Sequence, residues 1–374
     1  MNKVYRVGLV GCGFIGRVHA YGHLTIPLYF DQSEFRSCIT HVCTTSAASG
    51  ERAMRQTGAL HAVTDFREIT ENPDIDIVDI CSPNEHHCEA LLSAMAHGKD
   101  IYCDKPIVAN PEQATAVAEA LKSYRGIGQM TLQNRFFPAT IRAKELIEEG
   151  RIGEILEFNG EYLHSGSRKP ETALLDWKVG AGSIADLGTH IIDFMDWMLG
   201  GFTEVLGQTH TAYPERPAYG DPTRRVKVTG EDNMFVLARV ANGACGCIRA
   251  SKIATGTEDS FSFTINGSKG AIRLDPMDFD HLYYYDGDAP DAPHGGTRGW
   301  TAIDCVQRYE KPAGFPTPKA PLGWMRSHVQ CLYTFLRSVH DRRQYGPDLH
   351  RGLYIQHLTE CVRTSARERR WINL

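Results

Sequence analysis

The stretch that most constrains this chain is Val4-Tyr5-Arg6-Val7-Gly8-Leu9-Val10-Gly11-Cys12-Gly13-Phe14-Ile15-Gly16. An apolar run suited to a buried parallel strand passes directly into G-x-G-x-x-G. In a strand–turn–helix unit, Gly11 permits the tight turn, Gly13 admits a pyrophosphate against the backbone, and Gly16 lets the helix pack closely. Phe14 and Ile15 complete the turn. The helix N-terminus then offers free N–H groups and the positive end of its dipole to the phosphates. The chain has 35 glycines, so the motif alone is weak, and a tight turn without a ligand is its competing reading. Its place directly after an N-terminal strand favours a dinucleotide site.

At 374 residues the chain exceeds one compact core and reads as two domains. A net charge of −5 leaves no basic excess, which argues against nucleic acid or an anionic membrane as partner. No apolar run approaches the roughly 20 residues that span a bilayer. Met1-Asn2-Lys3 leads straight into the first strand, so no signal peptide and a cytoplasmic location are expected. The 11 cysteines are scattered and read as reduced, buried small hydrophobes. Cys12, Cys43, Cys81 and Cys103 fall at or near expected strand ends, and Cys245-Gly246-Cys247 has no zinc spacing, so no metal is expected.

Strands and helices alternate through the first third. Strands are expected at Cys38–Cys43, Asp76–Cys81, Asp100–Cys103 and Ile127–Leu132, with helices between them, giving a right-handed, doubly wound parallel sheet. Ligands of such sheets lie beyond the carboxyl ends of the strands. Thr44-Thr45-Ser46 follow the second strand, where an acid usually holds the adenosine ribose; hydroxyls bond either a ribose or a 2′-phosphate. No arginine follows immediately, so the balance lies with NAD. Ser82, Pro83, Asn84 and His87 follow the next strand, and Asp104-Lys105-Pro106 the one after.

From Gly153 onwards, strands separated by turns such as Asn242-Gly243, with no long helix between them after about Leu199, predict an antiparallel sheet. Residues 286–323, rich in Pro, Gly and aromatics, predict a long functional or interfacial loop. Helices are expected at Trp324–Asp341 and Leu349–Arg367. On a helix, Asp186, His190 and Asp193 form one polar stripe at i, i+4 and i+7. One reading is a structural histidine satisfied by carboxylates. The other is a general acid/base whose tautomer and raised pKa the carboxylates set. Lys105, at a strand end facing a nicotinamide, can hold a reacting oxygen.

Taken together, Gly11 to Gly16, Ser82-Pro83-Asn84 with His87, Asp104-Lys105-Pro106 and Asp186-x-x-x-His190 resemble the glucose-fructose oxidoreductase/inositol dehydrogenase/MocA family. Asn242-Gly243-Ala244 and Gly267-Ser268-Lys269-Gly270 extend the resemblance over nearly the whole chain. It implies an α/β architecture. A Rossmann domain spans 1–130, and an α+β domain over 131–374 carries a large open antiparallel sheet as the face of a homodimer or homotetramer. It implies an NAD(P)-dependent oxidoreductase acting on a secondary alcohol of a sugar, glycoside or cyclic polyol, with Lys105, Asp186 and His190 as the catalytic residues. Arg135, Tyr162, Trp177 and Lys178 are further candidates for the substrate wall. Asp104 stands where the family has Glu, and Thr44 where it often has Asp. A keto-sugar reductase using NADPH, or a non-catalytic dinucleotide sensor, are the competing readings. The resemblance also leads us to expect a cis Lys105–Pro106 bond.

Overall fold

The computed structural model describes residues 3–172, 182–218, 220–275, 278–306, 308–317 and 319–374. Its chain divides into two compact units, Met1–Phe136 with Tyr309–Gln356, and Phe137–Arg308 with His357–Leu374.

The first unit is built on strands β1 (Lys3–Val10), β2 (Phe35–Cys43), β3 (His61–Val63), β4 (Ile77–Ile80), β5 (Asp100–Cys103) and β6 (Gly128–Met130). They form a six-stranded sheet of order β3-β2-β1-β4-β5-β6, parallel throughout. Helices α1 (Phe14–Tyr29), α2 (Ala47–Thr57), α3 (Arg67–Thr70), α4 (His87–Ala96) and α5 (Pro111–Leu121) follow successive strands. The fully buried runs of β4 and β5 are what a strand covered on both faces requires. One apolar cluster gathers Leu91, Ala94 and Val117 with Ile80 and Ile101. The other gathers Val7, Leu9 and Ile26 with Val329, Leu332, Phe335 and Leu336.

Those last four residues belong to a helix that sequence reasoning placed elsewhere. The expected boundaries were 1–130 and 131–374, yet Tyr309–Gln356 belongs with the parallel sheet. The later helices are α6 (Pro138–Glu148), α7 (Thr189–Leu199), α8 (Trp324–Asp341) and α9 (Leu349–Glu368). The face of the sheet that α1 covers is completed by α8, whose apolar side chains fill that core. Chain order carries no trace of this, because a helix returns to whichever apolar face still needs covering.

A buried ion network fastens α1 to the sheet. His19 Nδ1 donates to Asp79 Oδ1 at 2.8 Å, and His23 Nε2 donates to Asp79 Oδ2 at 3.1 Å. Burial alone would lower the His19 pKa, but the Asp79 charge and hydrogen bond raise it overall. Burial alone would raise that of Asp79, but the two imidazoles hold it far below the usual carboxylate range. Asp79→Ala is expected to cost about 3–5 kcal/mol, the usual penalty for orphaning a buried charge. The contribution of His19 is complete below its ordinary pKa of 6.5 and is lost as pH rises through the raised folded value. That of Asp79 is complete above its ordinary 3.8 and is lost as pH falls through the depressed folded value. Thermal melts of wild type and Asp79→Ala should therefore differ most between about pH 4 and 6.5. Equal melting temperatures across that window would refute the network's role.

The second unit holds β7 (Ile155–Leu163), β8 (Phe202–His210), β9 (Glu215–Ala218), β10 (Asp221–Lys227), β11 (Asn233–Val240), β12 (Cys245–Ser251), β13 (Ser260–Gly267), β14 (Gly270–Leu274), β15 (His281–Asp286), β16 (Trp300–Asp304) and β17 (Ile372–Asn373). Nine of them form a sheet of order β16-β15-β14-β13-β7-β12-β11-β8-β17, and β9 and β10 form a separate hairpin. The expected antiparallel sheet is thus mixed: β7 and β12 run parallel, Tyr162 beside Ala250 and Leu163 beside Ser251. The expected 286–323 loop is interrupted by β16, which pairs with β15. Helix α7 packs tightly on β7, where a Cβ on Gly160 would lie 2.8 Å from Met195 Cγ. Among the described residues no helix is long and apolar enough to cross a membrane.

Candidate active site

The glycine-rich turn gives each glycine a separate task. Gly11 has φ +94°, and a Cβ there would lie 2.7 Å from the Cys81 carbonyl and the Ser82 nitrogen. A Cβ on Gly16 would lie 2.3 Å from the Gly11 carbonyl oxygen. Nothing lies within 4 Å of a Cβ on Gly13, so the space above it is open. Helix α1 has no side-chain hydrogen bond capping its N-terminus and no acid in its first turn. Open space at the middle glycine and uncapped N–H groups suit a pyrophosphate. These residues fit a dinucleotide.

The neighbouring strand ends are knitted together by backbone bonds: Gly11 N to Cys43 O, Cys81 N to Val10 O, and Asp104 N to Ile80 O, at 2.8–2.9 Å. Ser82, Asn84 and Lys105 are half-buried along this row, while Pro83 is exposed. The Ser82 Oγ is buried with no hydrogen-bond partner among the described residues. Thr44 is half-buried and donates to the Ser46 carbonyl at 3.1 Å. Thr45 is exposed. The Lys105–Pro106 bond is cis. Burial raises the Asp104 carboxyl, against the opposing pull of the Lys105 ammonium.

His87 lies at the start of α4, just beyond the end of β4. It is buried, with Nδ1 3.0 Å from the Pro106 carbonyl and Nε2 2.8 Å from the Ser82 carbonyl. Burial lowers its pKa, against the opposing pull of the Asp104 charge and of the backbone hydrogen bonds. Its geometry ties the loop after β4 to the loop after β5. Arg135 lies in a short 3₁₀ turn of the same unit, half-buried.

In the second unit the Gly182-to-Asp193 stretch departs from a plain helix. Ile184–Gly188 forms a π-helical turn that leads into α7. Single π turns recur at functional sites. His190 and Asp193 are buried in the first turns of α7, and Asp186 sits on the wide turn, half-exposed. Tyr162 brings its ring edge-on to His190 at 5.8 Å and to His164 at 5.1 Å. Burial and the Asp259 and Asp186 carboxylates push the Tyr162 phenol up. His164 Nε2 lies 2.9 Å from Asp259 Oδ1, and Lys252 Nζ lies 2.9 Å from Asp186 Oδ2. Tyr162, Asp186 and His190 are thus brought together. Trp177 and Lys178 lie outside the described residues.

Sequence reasoning missed His164, Lys252 and Asp259. The signal was available in part: His164 follows β7 and Lys252 follows β12, the two strands that run parallel. It could be used only once the strand order was known.

A glycine turn of this geometry on a sheet of order β3-β2-β1-β4-β5-β6 defines a dinucleotide-binding protein. Residues 5–131 match the model described as "Oxidoreductase family, NAD-binding Rossmann fold", and residues 140–273 match the GFO/IDH/MocA C-terminal domain. The chain belongs to this family, and it is an NAD-binding oxidoreductase. It is 28% identical to levoglucosan dehydrogenase of Pseudarthrobacter phenanthrenivorans, covering 98% of this chain and 97% of that one. It is 26% identical to scyllo-inositol 2-dehydrogenase (NAD(+)) of Bacillus subtilis, over 75% of this chain and 77% of that one. The solved structure of levoglucosan dehydrogenase with NADH and levoglucosan superposes with a TM-score of 0.92, at 27% identity over 99% of each chain.

Proposed function

We propose that the protein oxidises a secondary alcohol of a cyclic polyol, sugar or anhydrosugar, with His190 as proton acceptor. The reading is carried by the company His190 keeps: a buried imidazole beside Tyr162, with the Asp186–Lys252 pair on the turn before it. A merely structural histidine has no need of a half-exposed carboxylate on the turn that precedes it. Two carboxylates, two imidazoles and an ammonium match a ligand dense in hydroxyls, each of which both donates and accepts.

Bound NAD supplies the hydride acceptor at its nicotinamide C4. The backbone N–H groups from Gly13 to Gly16 hold the pyrophosphate, Thr44 or Thr45 the adenosine ribose, and Ser82, Pro83 and Asn84 the nicotinamide half. Lys105 donates a hydrogen bond to the reacting oxygen, His190 takes the hydroxyl proton at an imidazole nitrogen, and Asp186 anchors a hydroxyl or steadies the imidazolium. The test is a panel of levoglucosan, inositols, sugars and glycosides with NAD and with NADP, followed at the nicotinamide absorbance band. Reduction of NAD by at least one cyclic polyol or anhydrosugar is expected. Silence across the panel would refute the reading.

The same proposal includes a cytoplasmic location, which suits 11 free thiols, and a homo-oligomer. The outer face of the nine-stranded sheet leaves Phe235 47% and Leu237 38% exposed beside a hollow of about 880 Å³. A hollow of that size, with exposed Phe235 and Leu237 set among charged side chains such as Glu161 and Arg249, is suited to burial against a second copy. Sedimentation should give a dimer or tetramer at micromolar concentration; a strict monomer contradicts it.

A further inference from the structure

We infer that Lys252 is a positioning residue that acts through Asp186. The inference rests on the catalytic reading of Asp186 and His190. Lys252 is the first residue beyond β12, and its backbone is held on both sides. Its N–H donates to the Asp232 carbonyl and its own carbonyl accepts from Ser167 N–H, each at 2.9 Å. Asp232 is itself fully buried against Arg216, at 3.1 Å, and Arg216 also donates to the Ser167 and Lys169 carbonyls. The strand end that carries Lys252 is therefore rigid.

From that mount the lysine side chain runs through the interior, only 17% exposed, to place Nζ 2.9 Å from Asp186 Oδ2. Asp186 has the opposite character. It lies on a π turn and is 40% exposed at the side chain. An ammonium on a rigid mount, 2.9 Å from that carboxylate, sets the direction in which it points. A correctly turned Asp186 carboxylate is what a substrate hydroxyl or a newly formed His190 imidazolium requires.

The experiment is a double-mutant cycle on the full-length protein, with NAD and either levoglucosan or scyllo-inositol as substrate. Lys252→Met keeps the apolar stem and removes the charge; Lys252→Gln runs beside it in case the methionine variant does not fold. Both should lower kcat roughly 10- to 100-fold, the range for losing a hydrogen bond to a charged group. NAD affinity should be unchanged, and Lys252→Arg should restore most of the rate. In Asp186→Asn, adding Lys252→Met should cost little more, because the residue through which it acts is already gone. Additive losses, or failure of arginine to rescue, would overturn the inference while leaving Asp186 in place. Wild-type rates in Asp186→Asn itself would instead remove the catalytic reading of Asp186, and the role of Lys252 with it.

Discussion

His190→Asn should lower turnover by roughly 10²–10⁴-fold, the usual contribution of a positioned general base. That corresponds to about 2.7–5.5 kcal/mol of lost transition-state stabilisation. NAD affinity should hardly change, because His190 belongs to the unit that does not contain the glycine-rich turn. The limb of the pH–rate profile that rises as an imidazole loses its proton should disappear in the variant. Asparagine keeps a polar group at a buried position, so the melting temperature serves as control. A structural His190 gives the reverse pattern: a lower melting temperature with unchanged specific activity of the folded fraction. The same measurement separates an enzyme from a dinucleotide sensor, which has no use for a proton acceptor. Wild-type turnover in a folded, NAD-binding variant would end the proposed mechanism.

What the sequence made legible was local. The strand into Gly11, the turn through Gly16, and the strands that deliver Ser82 and Lys105 are each specified by neighbours a few residues apart, and all lie where expected. The cis bond before Pro106 was likewise foreseen. What remained hidden depends on contacts between distant segments. The membership of α8 in the parallel-sheet unit follows from an uncovered apolar face some 300 residues earlier in the chain. The π turn at Ile184–Gly188 inserts an extra backbone step that a 3.6-residue pattern cannot signal. Lys252 and His164 looked like ordinary residues at strand ends until β7 and β12 proved to be parallel neighbours. His87 shows the converse limit. Its position beside the ligand end of β4 was legible, but its engagement with two backbone carbonyls was not.

Gly13→Val should abolish tight NAD binding while leaving the fold intact, and Gly16→Val should do the opposite damage. The two glycines are three residues apart, yet their surroundings differ sharply. At Gly13 a new Cβ meets nothing within 4 Å among the described residues, and the φ of −77° lies outside the left-handed region. A valine there occupies only the space meant for phosphate. Excluding the pyrophosphate forfeits several N–H bonds to a charged group, each worth about 1.5–3 kcal/mol, so affinity should fall at least about a hundredfold. At Gly16 the Cβ would stand 2.3 Å from the Gly11 carbonyl oxygen, a backbone atom that cannot rotate away. Relief requires α1 to move off β1, which disturbs the packing of Val7, Leu9 and Ile26 and should cost about 1–3 kcal/mol or more. Calorimetric titration with NAD and thermal melts of the two variants read these effects separately. Unchanged NAD affinity in Gly13→Val would place the pyrophosphate elsewhere. An unaltered melting temperature in Gly16→Val would mean that the close approach of helix and turn is not a constraint on this fold.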